Sequence, residues 1–279
     1  IKGIAKGAKI SVNDALLLNA APTFGDGRKA CSQVGFKRTL LGRMHVKTSD
    51  MGPDEKEFYL LRKVIPEEGY SMIAIGWIGG LWAEAGMNEK GLTIGISSIG
   101  GISPECYSFG IDRYLLTYPI LMNCTSVHEA VTFCKKWPLL KRGVLFVITD
   151  SQGNMAVLEK NPVNQMVRWA KQNVIFCTNQ YELLEMKPLE KPLQQSVDNA
   201  AKRNKTLRHL LAGPLHSVNT LTLDDVVKYI LSNHSSSGSI CQHGIDDMYS
   251  LHSYVFPVSY THLRAHETSL HLVCRLLLE

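Results

Sequence analysis

Apolar and polar positions along the chain fall into short segments of two kinds: runs of strand length, and runs with the three-to-four-residue spacing of helices. Residues 1–20, IKGIAKGAKISVNDALLLNA, carry helical spacing, with Ser11 or Asn13 near a helix start. Residues 21–30 read as a turn-rich link. CSQVGF and TLLGRMHV predict two short strands with Lys37 and Arg38 at the turn, and residues 48–57, TSDMGPDEKE, predict a polar loop. FYLLRKVIP and SMIAIGWIGG predict two more strands joined by EEGY. GMNEKG, residues 86–91, is a glycine-bounded turn leading into the apolar strand LTIGISSI, and Asn88 is read as a turn residue with left-handed backbone.

Helical spacing returns in IDRYLLTYPILM and in SVHEAVTFCKKW, where Ser126 and Glu129 stand in capping register. GVLFVITD, SQGN and MAVLEKN predict a hairpin, with Asp150–Gly153 as its turn chemistry; strands QMVRWAK and NVIFCTN follow. SVDNAAKRNKTLRHLLAG predicts a helix ended by Gly213, and TLDDVVKYILSNH one that starts on Thr222 with Asp225 at capping spacing. SICQH and SLHSYVFP read as strands. Short hairpin links imply mainly antiparallel sheets. Two such sheets stacked face to face, with helices outside both, fit the order of elements. No internal repeat or domain boundary interrupts residues 1–257.

Composition narrows the function classes. The chain has 279 residues and a net charge of +5 spread along its length. There is no basic stripe with interleaved aromatics, which argues against nucleic acid. No apolar run reaches the roughly 18 residues needed to span a bilayer, so no membrane partner is expected. Seven cysteines form no CxxC pair, and His45, His234 and His243 lack close ligand spacing, so no metal is expected. Cysteine usage points to a reducing compartment, the cytoplasm. The chain begins at Ile1 rather than Met, which leaves a preceding signal peptide open. The last residues, 258–279, VSYTHLRAHETSLHLVCRLLLE, read codon by codon as a translated sequencing adapter and are expected to be a non-native tail. Without them the net charge stays +5, since two Arg and two Glu are removed together.

Chemistry centres on Cys31, which follows the small residue Ala30 at the start of a strand. One reading is a buried structural cysteine. The other is a nucleophile exposed by scission of the Ala30–Cys31 bond, so that the freed α-amine, with a pKa of about 8, serves as its base. Read from the residues alone, Asn179 closes a strand–loop junction and Arg43 is a surface strand residue.

ACSQVG followed by TLLGRMH resembles the opening of N-terminal-nucleophile amidohydrolases. GMNEKGL, VITDSQGNMAVLE, CTNQY and SICQH are similar to later motifs of that family, in the expected order, and GIAKGAKISVNDALLLNA resembles its propeptide. The resemblance is greatest to the acyl-CoA:6-aminopenicillanate acyltransferase type, related to bile salt and penicillin V hydrolases, and covers nearly all of residues 1–257. It implies an α+β fold, a four-layer αββα sandwich of antiparallel sheets truncated at both ends. Residues 1–30 would be a partial propeptide and 31–257 the catalytic domain. It also implies Cys31 as nucleophile and base, Asn179 as the oxyanion donor, Arg43 beside the nucleophile and Arg203 as a second site arginine. The substrate would be a small-molecule linear amide or an acyl-CoA, with no cofactor; a homo-oligomer is left open. Two departures stand out. Val46 occupies the usual acidic position, with Asp50 four residues on, and Ser98 replaces an asparagine. A cysteine peptidase pairing Cys31 with a histidine, and an inactive member of the same fold, are the alternatives.

Overall fold

The computed structural model describes residues 1–24, 30–191, 194–235 and 238–258. Residues 25–29 of the link before Cys31, and all of the C-terminal tail beyond Val258, lie outside the described residues. The first strands, β1 (Ala30–Thr39) and β2 (Gly42–Met51), form a hairpin whose ends close at Thr39 and Gly42. The turn therefore falls three residues later than Lys37–Arg38. Lys37 still donates its N–H to the Asn173 carbonyl at 2.8 Å, so the strand continues past it, and Gly42, at φ 83°, takes the left-handed backbone that closes the turn. β2 also runs on through Thr48, Ser49 and Asp50, all fully buried, where a polar loop was expected.

The remaining strands are β3 (Tyr59–Val64), β4 (Met72–Trp77), β5 (Ala85–Asn88), β6 (Thr93–Ser98), β7 (Val144–Thr149), β8 (Met155–Lys160), β9 (Gln165–Trp169), β10 (Val174–Cys177), β11 (His243–Ile245) and β12 (Met248–Pro257). They build two sheets, ordered β10-β1-β2-β12-β11 and β3-β4-β5-β6-β7-β8-β9, with neighbouring strands antiparallel throughout. Of SICQH only His243 is in a strand, because Asn233 gathers the preceding segment: its carbonyl accepts from Cys241 N–H and its side chain from Ile240 N–H.

The helices are α1 (Lys2–Ala8), α2 (Val12–Phe24), α3 (Thr117–Asn123), α4 (Val127–Lys135), α5 (Gln194–Ala212) and α6 (Leu223–Val226), the last continued by a π-helical turn over Val227–Leu231. The N-terminal helical stretch is two helices, parted at left-handed Lys9; Ser11, expected near a helix start, accepts at Oγ from Asp14 N–H where the second begins, and that helix runs on to Phe24 into the expected link. The predicted caps at Ser126 and Thr222 are formed. The glycine-bounded turn differs in one detail. Gly91, at φ 78°, is the left-handed residue, while buried Asn88 donates to the Leu121 and Cys124 carbonyls and so ties the turn to α3.

Three apolar clusters show the layering. Val34, Phe36, Met44 and Val46 on one face of β1–β2 pack against Leu207 and Leu210 of α5 and against Val226 and Ile230. Leu145, Val147 and Val157 meet Ile175 and Cys177 between the sheets. Ile94, Ile96, Phe146 and Ile148 pack against Ile120, Leu121, Val127 and Ala130 of α3 and α4. The order is helices, five-stranded sheet, seven-stranded sheet, helices, the expected four-layer αββα sandwich. Among the described residues no helix is long and apolar enough to cross a membrane.

Candidate active site

Alternation along β1 decides where Cys31 lies. Val34 and Phe36 face the α5 layer, so Cys31, Gln33 and Gly35 face the opposite sheet. Gln33 Nε2 donates to Ser97 Oγ of β6 at 2.8 Å across that gap. Cys31 is 2% exposed, and its register partner on β2 is Ser49. Its backbone N–H donates to Asn179 Oδ1 at 2.6 Å. Asn179 lies two residues beyond the end of β10, which pairs with β1, so the sheet itself carries this side chain to the strand start. Asn179 Nδ2 donates to the Ser98 carbonyl at 2.8 Å, and its second hydrogen has no acceptor among the described residues.

Arg203 reaches the same point from α5. It donates through Nη1 to the Cys31 carbonyl and through Nη2 to Asn179 Oδ1 at 2.9 Å, while Nε is held by Asn199 Oδ1 at 2.6 Å. The structure therefore brings Cys31, Asn179 and Arg203 together, with Ala30 at the adjoining position of β1. It does not bring Arg43 to them. Arg43 is six residues along β2 from Ser49, about 20 Å at the strand rise. There it borders an open surface cleft with Lys37, Arg38 and Asn219.

The charged groups near Cys31 are ones the sequence pattern placed in a loop or passed over. Asp50 pairs in register with Ala30, and its Oδ1 accepts from Ser250 Oγ at 2.5 Å. A buried carboxylate is thus present although Val46 is apolar and faces α5. Burial pushes the Asp50 carboxyl up to about 6, against the pull of Arg203, Ser250 and Lys47. Lys47, fully buried on β2, forms an ion pair with Glu84, and Ser49 Oγ donates to Glu84 Oε1 at 2.5 Å. Burial alone would lower the Lys47 ammonium; the charges of Cys31, Glu84 and Asp50 outweigh it and hold it above its ordinary value. Burial raises the Cys31 thiol, and Lys47 and Arg203 oppose that rise. His252, opposite Ser49 on β12, approaches Glu84 Oε2 at 3.8 Å. The available signal was alternation: His45, Lys47 and Ser49 are every second residue of β2, one polar face of a strand.

The candidate histidine bases lie elsewhere. His45 is buried between Thr93 and Gln33, and burial, aided by Lys47, lowers its pKa to about 3. His234 and His243 face each other, with Cys241 Sγ 3.3 Å from His243 Nε2. Ser98 lends its carbonyl to Asn179, and its hydroxyl lies 3.3 Å from that of Tyr114.

No curated protein matches the sequence. Among solved structures, the chain is similar to a Caenorhabditis elegans N-acylethanolamine-hydrolyzing acid amidase ortholog, with a TM-score of 0.57 at 12% identity over 82% of this chain and 94% of that one. It is also similar to a mutant of the conjugated bile acid hydrolase from Clostridium perfringens (TM-score 0.49, 12% identity, 82% and 86% covered) and to penicillin V acylase from Agrobacterium tumefaciens (TM-score 0.47, 14% identity, 81% and 80% covered). Residues 38–259 match the family described as acyl-coenzyme A:6-aminopenicillanic acid acyl-transferase. That span begins in the last residues of β1, leaving out Cys31, and takes in the other eleven strands; it covers most of the chain, and the chain belongs to the acyl-coenzyme A:6-aminopenicillanic acid acyl-transferase family.

Proposed function

We propose that this chain cuts itself between Ala30 and Cys31 and then hydrolyses or transfers the acyl group of a small linear amide through a thioester on Cys31. The observation that supports this reading most is the 2.6 Å contact between the Cys31 backbone nitrogen and Asn179 Oδ1. It singles out the nitrogen that scission would turn into an amine. In the first step Cys31 Sγ attacks the Ala30 carbonyl, the C–N bond breaks, and the nitrogen takes up a proton. Water then hydrolyses the thioester, leaving a carboxylate on Ala30 and a free thiol and amine on Cys31. Residues 1–30 are the part released; α2 holds on through Asn19, which bonds the Gly79 carbonyl and the Leu81 N–H.

In turnover the amine, with an ordinary pKa of about 8, takes the thiol proton as the sulfur attacks the substrate carbonyl. The second hydrogen of Asn179 Nδ2 serves the oxyanion. The Cys31 ammonium then protonates the departing amine. Water or an acceptor amine resolves the thioester. Arg203 positions this centre by gripping the Cys31 carbonyl and Asn179 at once. An acyl-CoA fits the same chemistry as acyl donor.

Intact-mass measurement of the purified chain tests the proposal. The wild type is expected to yield a product beginning at Cys31, and Cys31→Ala an uncut chain. A folded wild type with the Ala30–Cys31 bond whole would overturn it. Activity without cleavage that disappears in His234→Ala or His243→Ala would favour the cysteine–histidine peptidase instead.

A further inference from the structure

We infer that His234, Cys241 and His243 form a binding site for a borderline-soft divalent cation, of which zinc fits best. This site is separate from the Cys31 centre and is used by no step above. Sequence spacing gave no reason to expect it, because the three residues are brought together only by the loop between the π-helical turn and β11. His234 Nε2 and His243 Nε2 are 3.0 Å apart, Cys241 Sγ is 3.3 Å from His243 Nε2, and all three ligand atoms lie within 4.8 Å of one another.

The first two of those separations are close to the edges of a metal tetrahedron, and the third pair, at most 4.8 Å apart, would draw in on binding. Zinc takes nitrogen at about 2.0 Å and sulfur at about 2.3 Å, which sets ligand edges of about 3.3 Å between two nitrogens and about 3.5 Å between nitrogen and sulfur. Two imidazoles and one thiol are the donors that zinc prefers and that magnesium and calcium avoid. The fourth position faces outward, since both histidines are exposed while Cys241 is buried.

The loop is held in this shape by bonds that do not involve the three donors' side chains. The Asn233 carbonyl accepts from Cys241 N–H at 3.0 Å and from Ser239 Oγ at 2.8 Å. Asn233 Oδ1 accepts from the N–H groups of Ser235 and Ile240, each at 3.3 Å. Gln242 Nε2 donates to the Ser239 carbonyl. A cation would therefore meet donors already gathered, and would staple the end of the helical layer to the edge strand β11. Gln242 N–H also donates to Ser250 Oγ, which donates to Asp50, so the staple sits two hydrogen bonds from the carboxylate opposite Ala30.

Chelator-stripped full-length protein titrated with zinc in excess magnesium, against a competing chromophoric chelator, tests the site. The wild type should hold one equivalent that His234→Asn and His243→Asn each weaken by about tenfold or more. Both replaced side chains are exposed, so folding should survive, and circular dichroism checks that. Cobalt should give a thiolate charge-transfer band that Cys241→Ser abolishes. The tail carries His262, His266, His271 and Cys274, so equivalents retained in the double histidine variant belong there. Equal zinc binding by wild type and the double variant, or a cobalt band unchanged by Cys241→Ser, would overturn the inference and leave a plain hydrogen-bonded cluster.

Discussion

At the scale of single residues, Asn179 and Arg43 make opposite predictions. Asn179 bonds the nitrogen of Cys31, and a lost oxyanion donor typically costs about 10²–10³ in turnover. Asn179→Ala should therefore lower kcat by about that factor in folded, cleaved enzyme. Arg43→Ala should leave kcat within about twofold of wild type, because the register holds it about 20 Å from Cys31. Steady-state kinetics on a model amide measures both, and an equal loss in the two variants would show that the register argument is wrong. Asn179 and Arg203 were legible in the sequence by resemblance. Asp50 was legible only as a substitute for the acidic position that Val46 occupies, and Lys47 and Glu84 were not legible, because a charged residue in a polar stretch reads as solvated until tertiary packing covers it.

At the scale of elements, local chemistry was legible wherever it closes within a few residues. The hairpin after β7 is an example: Asp150 Oδ1 accepts from the N–H groups of Gln152 and Asn154, each at 3.0 Å, as its turn composition predicts. So is the capping box at α6, where Thr222 and Asp225 exchange backbone bonds. Thr222→Ala should cost about 1 kcal/mol of unfolding free energy, read as a lower denaturant midpoint at unchanged slope. The β1–β2 turn was misplaced for the converse reason. Lys37 and Arg38 look like turn residues, yet the Asn173 carbonyl, far along the chain, keeps Lys37 in the strand.

At the scale of the whole molecule, the two sheets are joined by apolar packing, by hydrogen bonds such as those of Gln33 to Ser97 and His45 to Thr93, and by a buried ionic group. Lys47 belongs to the five-stranded sheet and Glu84 bonds into the seven-stranded one, where its carbonyl accepts from Ile96 N–H at 3.0 Å. Removing one partner leaves a buried charge uncompensated, at a typical cost of about 3–5 kcal/mol. Lys47→Met should thus be strongly destabilised, and Lys47→Met combined with Glu84→Leu should recover most of the loss. Chemical denaturation of the two variants decides it; a double variant no more stable than the single one would mean that the pair does not couple the sheets.

By itself the sequence determined most of the elements, their antiparallel pairing and the layered sandwich, since strand alternation, helical spacing and turn chemistry act over a few residues. For Cys31 and Asn179 the residues alone left a structural reading open, and it was the family resemblance that singled them out; the structure places them in contact at 2.6 Å. Only the tertiary structure decided which charges surround the thiol and which three donors meet beside β11. The first depends on strand register and on residues far apart in the chain reaching the same buried face. The second depends on a loop that Asn233 folds back on itself, and no local pattern carries either.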